Sequence, residues 1–328
     1  MARAWHLVSR PEGLPTSDNF ALKEIELPAL AEGQVHVRNL WLSVDPYMRG
    51  RMNESKSYIP PFPLDGPMEG GAVGEVVESK ADGYSAGDLV LHMAGWRDEA
   101  VLPAKALTKL PQMGAGPQAF LSILGMPGAT AYFGLLDVAQ AKDGDIVFVS
   151  AAAGAVGSIV VQIAKAKGMK VIGSAGGTAK CDFVRSLGAD AAVDYRDGPI
   201  LKSLRDAAPD GIDVYFDNVG GDHLDAAFAR ARLHARFALC GMIAGYNSRE
   251  AMHFRYIIRM IAMRITMRGF LYGDYVSRLD EFYRDMGEWV ASGKVKAHET
   301  VFDGLAKTPD AFLGLFGGAN TGKMLVRV

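Results

Sequence analysis

The sequence has few of the residues that a disulfide framework or a zinc site requires. Its 328 residues include two cysteines, Cys181 and Cys240, so neither a set of disulfides nor a four-cysteine zinc site can be built. The seven histidines never fall within five residues of one another, which excludes the His-Glu-x-x-His pattern. We therefore expect no metal site, and the scarcity of thiols fits a reducing compartment.

An excess of charge of one sign is also lacking. The 35 Lys and Arg nearly balance the 37 Asp and Glu, which leaves a net charge of −2 and no basic field for nucleic acid. The start has no apolar run of signal-peptide length, and arginines interrupt the most hydrophobic late stretch, residues 257–270. We expect a cytoplasmic protein whose partners are small molecules or like chains, and neither nucleic acid nor a membrane.

The hydropathy pattern changes part-way along the chain. Residues 1–123 form short alternating runs separated by Gly and Pro, which predicts a β-rich barrel or sandwich. From about residue 141, apolar strands alternate with helical segments, as in parallel sheets joined by crossovers. The fold class is therefore predicted as α/β with a doubly wound parallel sheet. The predicted strands are 145–150, 170–174, 191–195, 213–218 and 236–241, with a helix at 158–167.

A glycine-containing turn joins the first of these strands to its helix. In residues 151–157, Gly154 and Gly157 occupy the second and third glycine positions of the dinucleotide fingerprint, and Ala152 occupies the first. A small residue lets the backbone approach a pyrophosphate, and N–H groups at the helix start bind the anion. A tight turn without a ligand is the alternative. Because strand, turn, helix and strand follow in order, we predict dinucleotide binding.

The end of the second strand indicates NADP rather than NAD. Enzymes that use NAD place an acid there for the ribose hydroxyls, whereas this chain has Gly173-Ser174-Ala175-Gly176-Gly177. Lys180 follows in the first turn of a helix that we expect Thr178 to cap, where the helix dipole disfavours a cation unless an anion is bound. Tyr195 ends the third strand and can add a hydroxyl. A solvated lysine and a packing tyrosine are the alternatives.

Further candidates follow later strands. Asn218 can bond ribose or nicotinamide, or can simply stabilise a turn, and Cys240 is better explained as a small buried residue than as a nucleophile. No tyrosine has a lysine four residues later, so the catalytic pair of short-chain dehydrogenases is missing. The chemistry then depends mainly on the cofactor.

Five segments together resemble the zinc-free double-bond reductases of the medium-chain dehydrogenase/reductase superfamily, which include prostaglandin, 2-alkenal and curcumin reductases. The resemblance spans essentially the whole chain and is most specific in the second and third segments. The segments are Val44-Asp45-Pro46-Tyr47-Met48-Arg49 and residues 124–136, 151–158, 215–221 and 320–323.

The chain departs from the zinc-containing members of that superfamily. Those members hold the metal with a Gly-His-Glu stretch and an early cysteine, whereas this chain has Gly66-Pro67-Met68-Glu69-Gly70 and no cysteine before Cys181. Without a Lewis acid, alcohol oxidation lacks a group to stabilise an alkoxide, whereas reduction of an enone needs a hydride donor and a partner for the enolate oxygen.

The resemblance implies two domains, a homodimer and a set of cofactor contacts. Residues 1–123 with 299–328 would form a GroES-like β-barrel domain for substrate and catalysis, and residues 124–298 a Rossmann NADP-binding domain. A strand within residues 265–272 would lie at the dimer edge. The implied cofactor residues are Gly154, Ala155, Val156 and Gly157 for the pyrophosphate, Lys180 and Tyr195 for the 2'-phosphate, Asn218 for the ribose, and Cys240, Gly241, Met242, Ile243, Tyr246, Phe270, Leu271, Tyr272 and Asn320 around the nicotinamide.

The activity implied by the resemblance is NADPH-dependent reduction of α,β-unsaturated ketones or aldehydes. Tyr246 is the first candidate to bond the enolate oxygen or to position the ribose hydroxyl that does so. Tyr47 is the candidate to line the substrate site or to assist proton delivery, with plain packing as its alternative. Two other functions remain open: a zinc-free NADPH quinone oxidoreductase, and an NADPH-binding protein without catalysis.

Overall fold

The structure, a computed structural model, describes residues 1–248 and 250–328. The chain divides into two compact units. The first consists of Met1–Leu121, Glu299–Asn320 and Met324–Val328, and the second of Ser122–His298 and Thr321–Lys323. Within the described ranges, every helix is too short or too polar to cross a membrane.

Strands and helices are numbered in chain order. The strands are β1 (Ala2–Leu7), β2 (Phe20–Ile25), β3 (Gln34–Ser43), β4 (Ala72–Ser79), β5 (Leu89–His92), β6 (Glu99–Pro103), β7 (Thr108–Lys109), β8 (Ile146–Val149), β9 (Lys170–Ala175), β10 (Ala191–Asp194), β11 (Ile212–Asp217), β12 (Ala231–Leu239), β13 (Thr266–Gly269), β14 (Glu299–Asp303) and β15 (Lys323–Arg327). The helices are α1 (Met48–Arg51), α2 (Met126–Phe133), α3 (Gly157–Ala166), α4 (Thr178–Ser186), α5 (Ile200–Ala207), α6 (Gly221–Arg230), α7 (Arg259–Met263), α8 (Leu279–Ala291) and α9 (Thr308–Gly317).

The first unit is built around a mixed sheet in the order β14-β15-β3-β4-β5-β7, with β6 also paired to β3. The pairs from β15 onward are antiparallel. A separate ribbon pairs β1 with β2. The apolar faces enclose a core in which the rings of Phe20 and Phe312 lie 5.7 and 5.6 Å from that of Trp96. Aromatic pairs at such distances stabilise the core beyond the area they bury.

The second unit contains a parallel sheet in the order β10-β9-β8-β11-β12-β13. Counted from β8, this order is 3-2-1-4-5-6, which is the arrangement of dinucleotide-binding doubly wound sheets. The predicted α/β fold class is therefore confirmed.

The central strand β8 shows why these residues form a covered parallel sheet. Val147, Phe148 and Val149 are all fully buried, so the strand is covered on both faces. Phe148 stacks on Tyr215 with 5.1 Å between ring centroids. Residues of α5 and α6, including Leu204 and Phe228, pack in the same cluster.

Four of the five predicted strands and the predicted helix agree with the observed bounds to within one residue. The fifth was predicted to begin at residue 236, but β12 begins at Ala231. Its early part contains His234 at a φ of 63°, and the register with β11 shifts between Ile212 and Val214. These irregularities break the two-residue alternation that a strand prediction needs.

Candidate functional site

Apart from Tyr47 and Asn320, which belong to the first unit, the predicted site residues lie in the second unit, close after strands of the parallel sheet. Parallel strands end on the same edge of a sheet, and ligands of doubly wound sheets bind beyond that edge. The sequence-predicted groups follow β8 (154–157), β9 (Lys180), β10 (Tyr195), β11 (Asn218), β12 (240–243 and Tyr246) and β13 (270–272).

The glycine turn, residues 150–157, depends on close packing at Gly157. A Cβ on Gly157 would lie 2.3 Å from the Ala151 carbonyl oxygen, a distance that real Cβ atoms do not show. At Gly154 the corresponding distance to the same oxygen is 3.2 Å. Gly157 begins α3, so its lack of a side chain lets the helix start directly beneath the turn. N–H groups at such a start are suited to an anion.

Hydrogen bonds fix the turn to its neighbours within the second unit. The Ala152 N–H donates to the Ser174 carbonyl on β9 at 2.8 Å, and the Gly322 N–H donates to the Ala153 carbonyl at 2.8 Å. Ala152 occupies the first glycine position of the fingerprint, and its methyl group is accommodated because residue 173 is a glycine. Asn320 directly precedes the segment 321–323 in the chain.

A second group of side chains, here called the polar corner, surrounds the glycines that follow β9. It comprises Gly176, Lys180, Asp194, Tyr195 and Arg196. A Cβ on Gly176 would lie 2.6 Å from the Tyr195 hydroxyl and 2.9 Å from Arg196 Nε. Asp194 accepts backbone hydrogen bonds from Gly177 and Arg196, which hold its pKa below the usual value. The corner therefore presents two cations and a phenol, with one carboxylate already bonded to the backbone.

Lys180 lies in the first turn of α4, as predicted, but Thr178 does not cap this helix. Gly177 is the N-cap at a φ of 94°, and Thr178 is the first helical residue. Glycine adopts this backbone conformation without strain, which explains the shift of one residue. Burial and the nearby Arg196 both lower the pKa of Lys180. A bound anion at this place would relieve the repulsion between the two cations.

A buried hydrogen bond between Ser174 and His223 lies next to the polar corner. The ring of Tyr195 lies edge-on to that of His223, with 5.4 Å between centroids. His223 Nε2 and the Ser174 hydroxyl are 2.9 Å apart, and both residues are buried. Burial lowers the pKa of His223 to about 4, so the imidazole is neutral at pH 7. The ring of Tyr195 therefore packs against a neutral imidazole.

The turn after β11 is organised by Asp217, a residue that the sequence analysis did not select. Its Oδ1 accepts hydrogen bonds from the Tyr215 hydroxyl at 2.6 Å and from the N–H groups of Val219 and Gly220 at 2.9 and 2.8 Å. The neighbouring Asn218 donates from Nδ2 to the Ser150 carbonyl at 2.8 Å. The Asn218 amide thus joins this turn to the glycine turn, and its contact with a ribose stays a prediction.

The loop after β12 brings Tyr246 back over its own backbone. The Tyr246 hydroxyl accepts a hydrogen bond from the Met242 N–H at 3.4 Å, and a Cβ on Gly241 would lie 3.0 Å from the same oxygen. Cys240 precedes them, and burial raises the pKa of its thiol to about 12. The thiol is therefore protonated at neutral pH, in agreement with a packing role for Cys240.

The three candidates after β13 differ in burial. Phe270 is buried, and its ring lies 6.3 Å from that of Phe216 in the interior of the second unit. Leu271 is 40% exposed and Tyr272 is half-buried. Leu271 and Tyr272 are therefore the side chains of this group that are available to a ligand.

Tyr47 lies at the start of α1 in the first unit and packs against its core. Its hydroxyl is buried and makes no hydrogen bond to the residues that the structure describes. Burial and the nearby Asp45 raise the pKa of Tyr47 above its usual value. The phenol is therefore neutral at pH 7 and able to donate a hydrogen bond.

Arg196 is the main cofactor candidate that the sequence analysis missed. It is exposed and directly follows Tyr195, so neither hydropathy nor a motif distinguishes it from a solvated arginine. Only the packing of its guanidinium over Gly176 shows its place in the corner. Arg196 follows β10, which lies beside the Gly-rich end of β9. That position is the sequence signal that could have identified Arg196 as a candidate.

Comparisons with known proteins show the family of the chain. Residues 3–110 match the family described as the N-terminal domain of oxidoreductase, and residues 155–292 match the family described as zinc-binding dehydrogenase. The chain is 42% identical to NADPH-dependent curcumin reductase from Escherichia coli, covering 99% of this chain and 96% of that protein. It is 40% identical to prostaglandin reductase 1 from Mus musculus, covering 99% of each.

The chain belongs to the zinc-free medium-chain dehydrogenase/reductase family. A crystal structure of CurA from Vibrio vulnificus in complex with NADPH is 42% identical and superimposes with a TM-score of 0.95, covering 99% of each chain. A quinone oxidoreductase from Pseudomonas syringae is 22% identical, covering 100% of each chain with a TM-score of 0.80, and shares the fold. In the present chain, Met68 occupies the position of the zinc-binding histidine, and it is buried in the core of the first unit.

Proposed function

We propose that this protein uses NADPH to reduce the carbon-carbon double bond of α,β-unsaturated ketones and aldehydes. The observation that carries the proposal is identity of 40 to 42% over almost the whole chain to reductases named for NADPH, curcumin and prostaglandin. A 2-alkenal reductase from Nicotiana tabacum, 40% identical over 96% of this chain, supports the same reaction.

The second unit has a suitable place for NADPH. The glycine turn, with Gly154 to Gly157, would hold the pyrophosphate, and Lys180, Tyr195 and Arg196 would hold the 2'-phosphate. The corner fits this group because a side chain at Gly176 would fill the space beside Tyr195 and Arg196. We assign the ribose and nicotinamide to the predicted residues of the second unit that follow β11, β12 and β13, with Phe270 contributing through its main chain.

Bound NADPH supplies a hydride for the β-carbon of the substrate. Tyr246 would donate a hydrogen bond to the carbonyl oxygen as negative charge develops on it, or would hold the ribose hydroxyl that donates. For Tyr47, lining the substrate site or assisting proton delivery stays a prediction, and its raised pKa keeps the phenol neutral. A neutral donor aimed at a developing oxyanion lowers the barrier without any metal.

Replacing Tyr246 by Phe tests the role of the hydroxyl. We expect kcat for a small enone to fall by roughly 100-fold, as for loss of one oxyanion donor. Tyr84→Phe is the matched control, because its hydroxyl bonds the Leu107 carbonyl within the first unit. Unchanged turnover in Tyr246→Phe, with Tyr84→Phe also active, would contradict the assignment.

The reaction class is tested by the position of a label. Turnover of a simple alkenone with NADPH that carries deuterium at nicotinamide C4 should give a saturated ketone with deuterium at the β-carbon, detected by NMR. Deuterium at the carbonyl carbon would indicate alcohol formation instead and would reject the proposal.

We also propose a homodimer that forms through β13. This strand is at one end of the parallel sheet, and its four residues are exposed. Beside it in the chain, Ile258 and Ile261 are 69 and 76% exposed. An end strand and exposed apolar side chains each favour association. Light scattering should give twice the mass of one chain, and Ile261→Glu should give the monomer. A monomeric wild-type protein would reject the dimer.

A cytoplasmic location is part of the proposal. Cys181 and Cys240 are both unpaired, which suits a reducing compartment. Fractionation of the native cells, with the chain detected by antibody, tests the location directly. Recovery in a secreted fraction would contradict it.

A further inference from the structure

A pocket of about 540 Å³ opens in the second unit near the amino ends of β11 and β12. The candidate cofactor residues follow the carboxyl ends of the strands, so this pocket lies at the opposite edge of the sheet. Its walls come from the segments that lead into β11 and β12 and from α7. The volume is within the range of small-molecule sites.

Three arginines line the pocket, and each is held by the scaffold. Arg230 Nη2 donates to the carbonyls of Ala208 and Pro209 at 2.8 and 2.7 Å. Arg259 Nε donates to the Phe228 carbonyl at 3.1 Å, and Arg232 Nη1 donates to an Asp213 oxygen at 2.9 Å. A guanidinium fixed by one edge loses less conformational entropy when its other edge binds a ligand.

Several donors on these arginines have no partner within residues 1–248 and 250–328. Arg259 uses only Nε, which leaves both terminal nitrogens without a hydrogen bond. Arg230 Nε is buried and has no acceptor. A buried donor without an acceptor is costly, so the site has unmet capacity for an oxygen ligand.

The charge balance favours a monoanion. Two carboxylates, Asp210 and Asp213, line the same pocket. Asp213 is satisfied by Arg232 and by the Ile146 N–H at 2.9 Å, and Asp210 is exposed to solvent. Three guanidinium groups and two carboxylates give the pocket a net charge of +1. A bound carboxylate neutralises this charge, whereas a phosphate dianion would leave an excess negative charge.

Apolar side chains complete the wall. Leu233 is 53% exposed and Met263 is half-buried, and both line the pocket with the arginines. We propose that this pocket binds a small organic carboxylate, whose oxygens contact Arg259 and Arg230 and whose apolar body packs on Leu233 and Met263. The proposal does not depend on the reductase activity.

Calorimetric titration with octanoate tests the proposal, performed with and without saturating NADPH. We expect one octanoate per chain under both conditions. Acetate has the charge without the apolar body, and octanol has the body without the charge. Each should bind at least about tenfold more weakly than octanoate, because each lacks one of the two interactions.

Two variants locate the binding. Arg259→Gln should weaken octanoate binding by about tenfold or more, because a charge-assisted hydrogen bond is lost. Arg205→Gln is the matched control, since Arg205 is on α5, is 62% exposed and pairs with Asp206 outside the pocket. Leu233→Asp adds a negative charge at an exposed position without removing a hydrogen bond, and should also abolish binding.

Absence of octanoate binding at concentrations up to about 10 mM would overturn the proposal, as a Kd above that value is too weak for a specific site. Equal octanoate affinity in the wild type and in Leu233→Asp would also overturn it, because binding would then be elsewhere. Enone turnover, measured on the same preparations, should be unchanged in all three variants. A failure of the reductase proposal would therefore appear in a different assay.

Discussion

The glycine turn after β8 and the polar corner after β9 differ in what determines their structure. The turn depends on shape, because a Cβ on Gly157 would lie 2.3 Å from the Ala151 carbonyl oxygen. The corner depends on charge and surface side chains, since Lys180 is half-buried and Arg196 is exposed. Substitutions in the turn should therefore affect every dinucleotide and the fold itself, whereas substitutions in the corner should affect the choice between NADPH and NADH.

The largest effect is expected from Gly157→Ala. The added methyl group must displace the turn or α3, so we expect binding of both NADPH and NADH to be lost. The free energy of unfolding should fall by roughly 1–3 kcal/mol, the usual cost of overpacking. Fluorescence titration and urea denaturation measure the two effects.

Gly154→Ala is the control for that change, because its added Cβ would lie 3.2 Å from the nearest atom and needs only a small adjustment. It should retain its fold and bind both cofactors more weakly. If Gly157→Ala bound NADPH as the wild type does, the turn would not depend on close packing and the comparison would fail.

A smaller and selective effect is expected in the corner. Lys180→Gln and Arg196→Gln should each raise KM for NADPH by about tenfold, because each removes a charged donor to the 2'-phosphate. KM for NADH should not change. Arg185→Gln is the matched control, since Arg185 is on the same helix α4 and pairs with Asp182. Equal losses with NADPH and NADH would show that the corner does not recognise the phosphate.

The smallest effect concerns pH. Burial and Arg196 lower the pKa of Lys180 below its usual value of 10.5, so the free protein loses this positive charge at a lower pH than an exposed lysine. Binding of a phosphate favours the protonated form. NADPH affinity should therefore fall as pH rises through the lowered pKa, whereas NADH affinity should not.

Lys180→Arg serves as the reference for the pH series, because arginine keeps its charge throughout. Its NADPH affinity should be flatter with pH than that of the wild type, measured by titration between about pH 7 and 10. Identical profiles for the two proteins would exclude Lys180 as the titrating group.

The same contrast explains what the sequence could predict. Strand β8, the turn and α3 are consecutive, and their apolar and glycine pattern follows directly from close packing, so bounds and motif were predicted to within one residue. The NADP preference was inferred from the missing acid after β9. In both cases, residues close together in the sequence were sufficient for the prediction.

Features that depend on residues distant in the chain were not predicted. Arg196 belongs to the corner because it packs on Gly176, twenty residues earlier. Asp217 organises the turn after β11 through partners that include Ser150. The arginine pocket combines Arg230 and Arg232 with Arg259 from α7. In each case tertiary packing, and not periodicity, gives the residue its surroundings.

The most direct test of the account is oxidation of NADPH, followed at the absorbance of the reduced nicotinamide, with a 2-alkenal, an alkenone, curcumin and a quinone offered in parallel and NADH as the control. The account predicts turnover of the enones with a clear preference for NADPH. Turnover of the quinone alone would indicate a quinone oxidoreductase, and NADPH binding without any turnover would indicate a non-catalytic protein. Either result would contradict the proposed function.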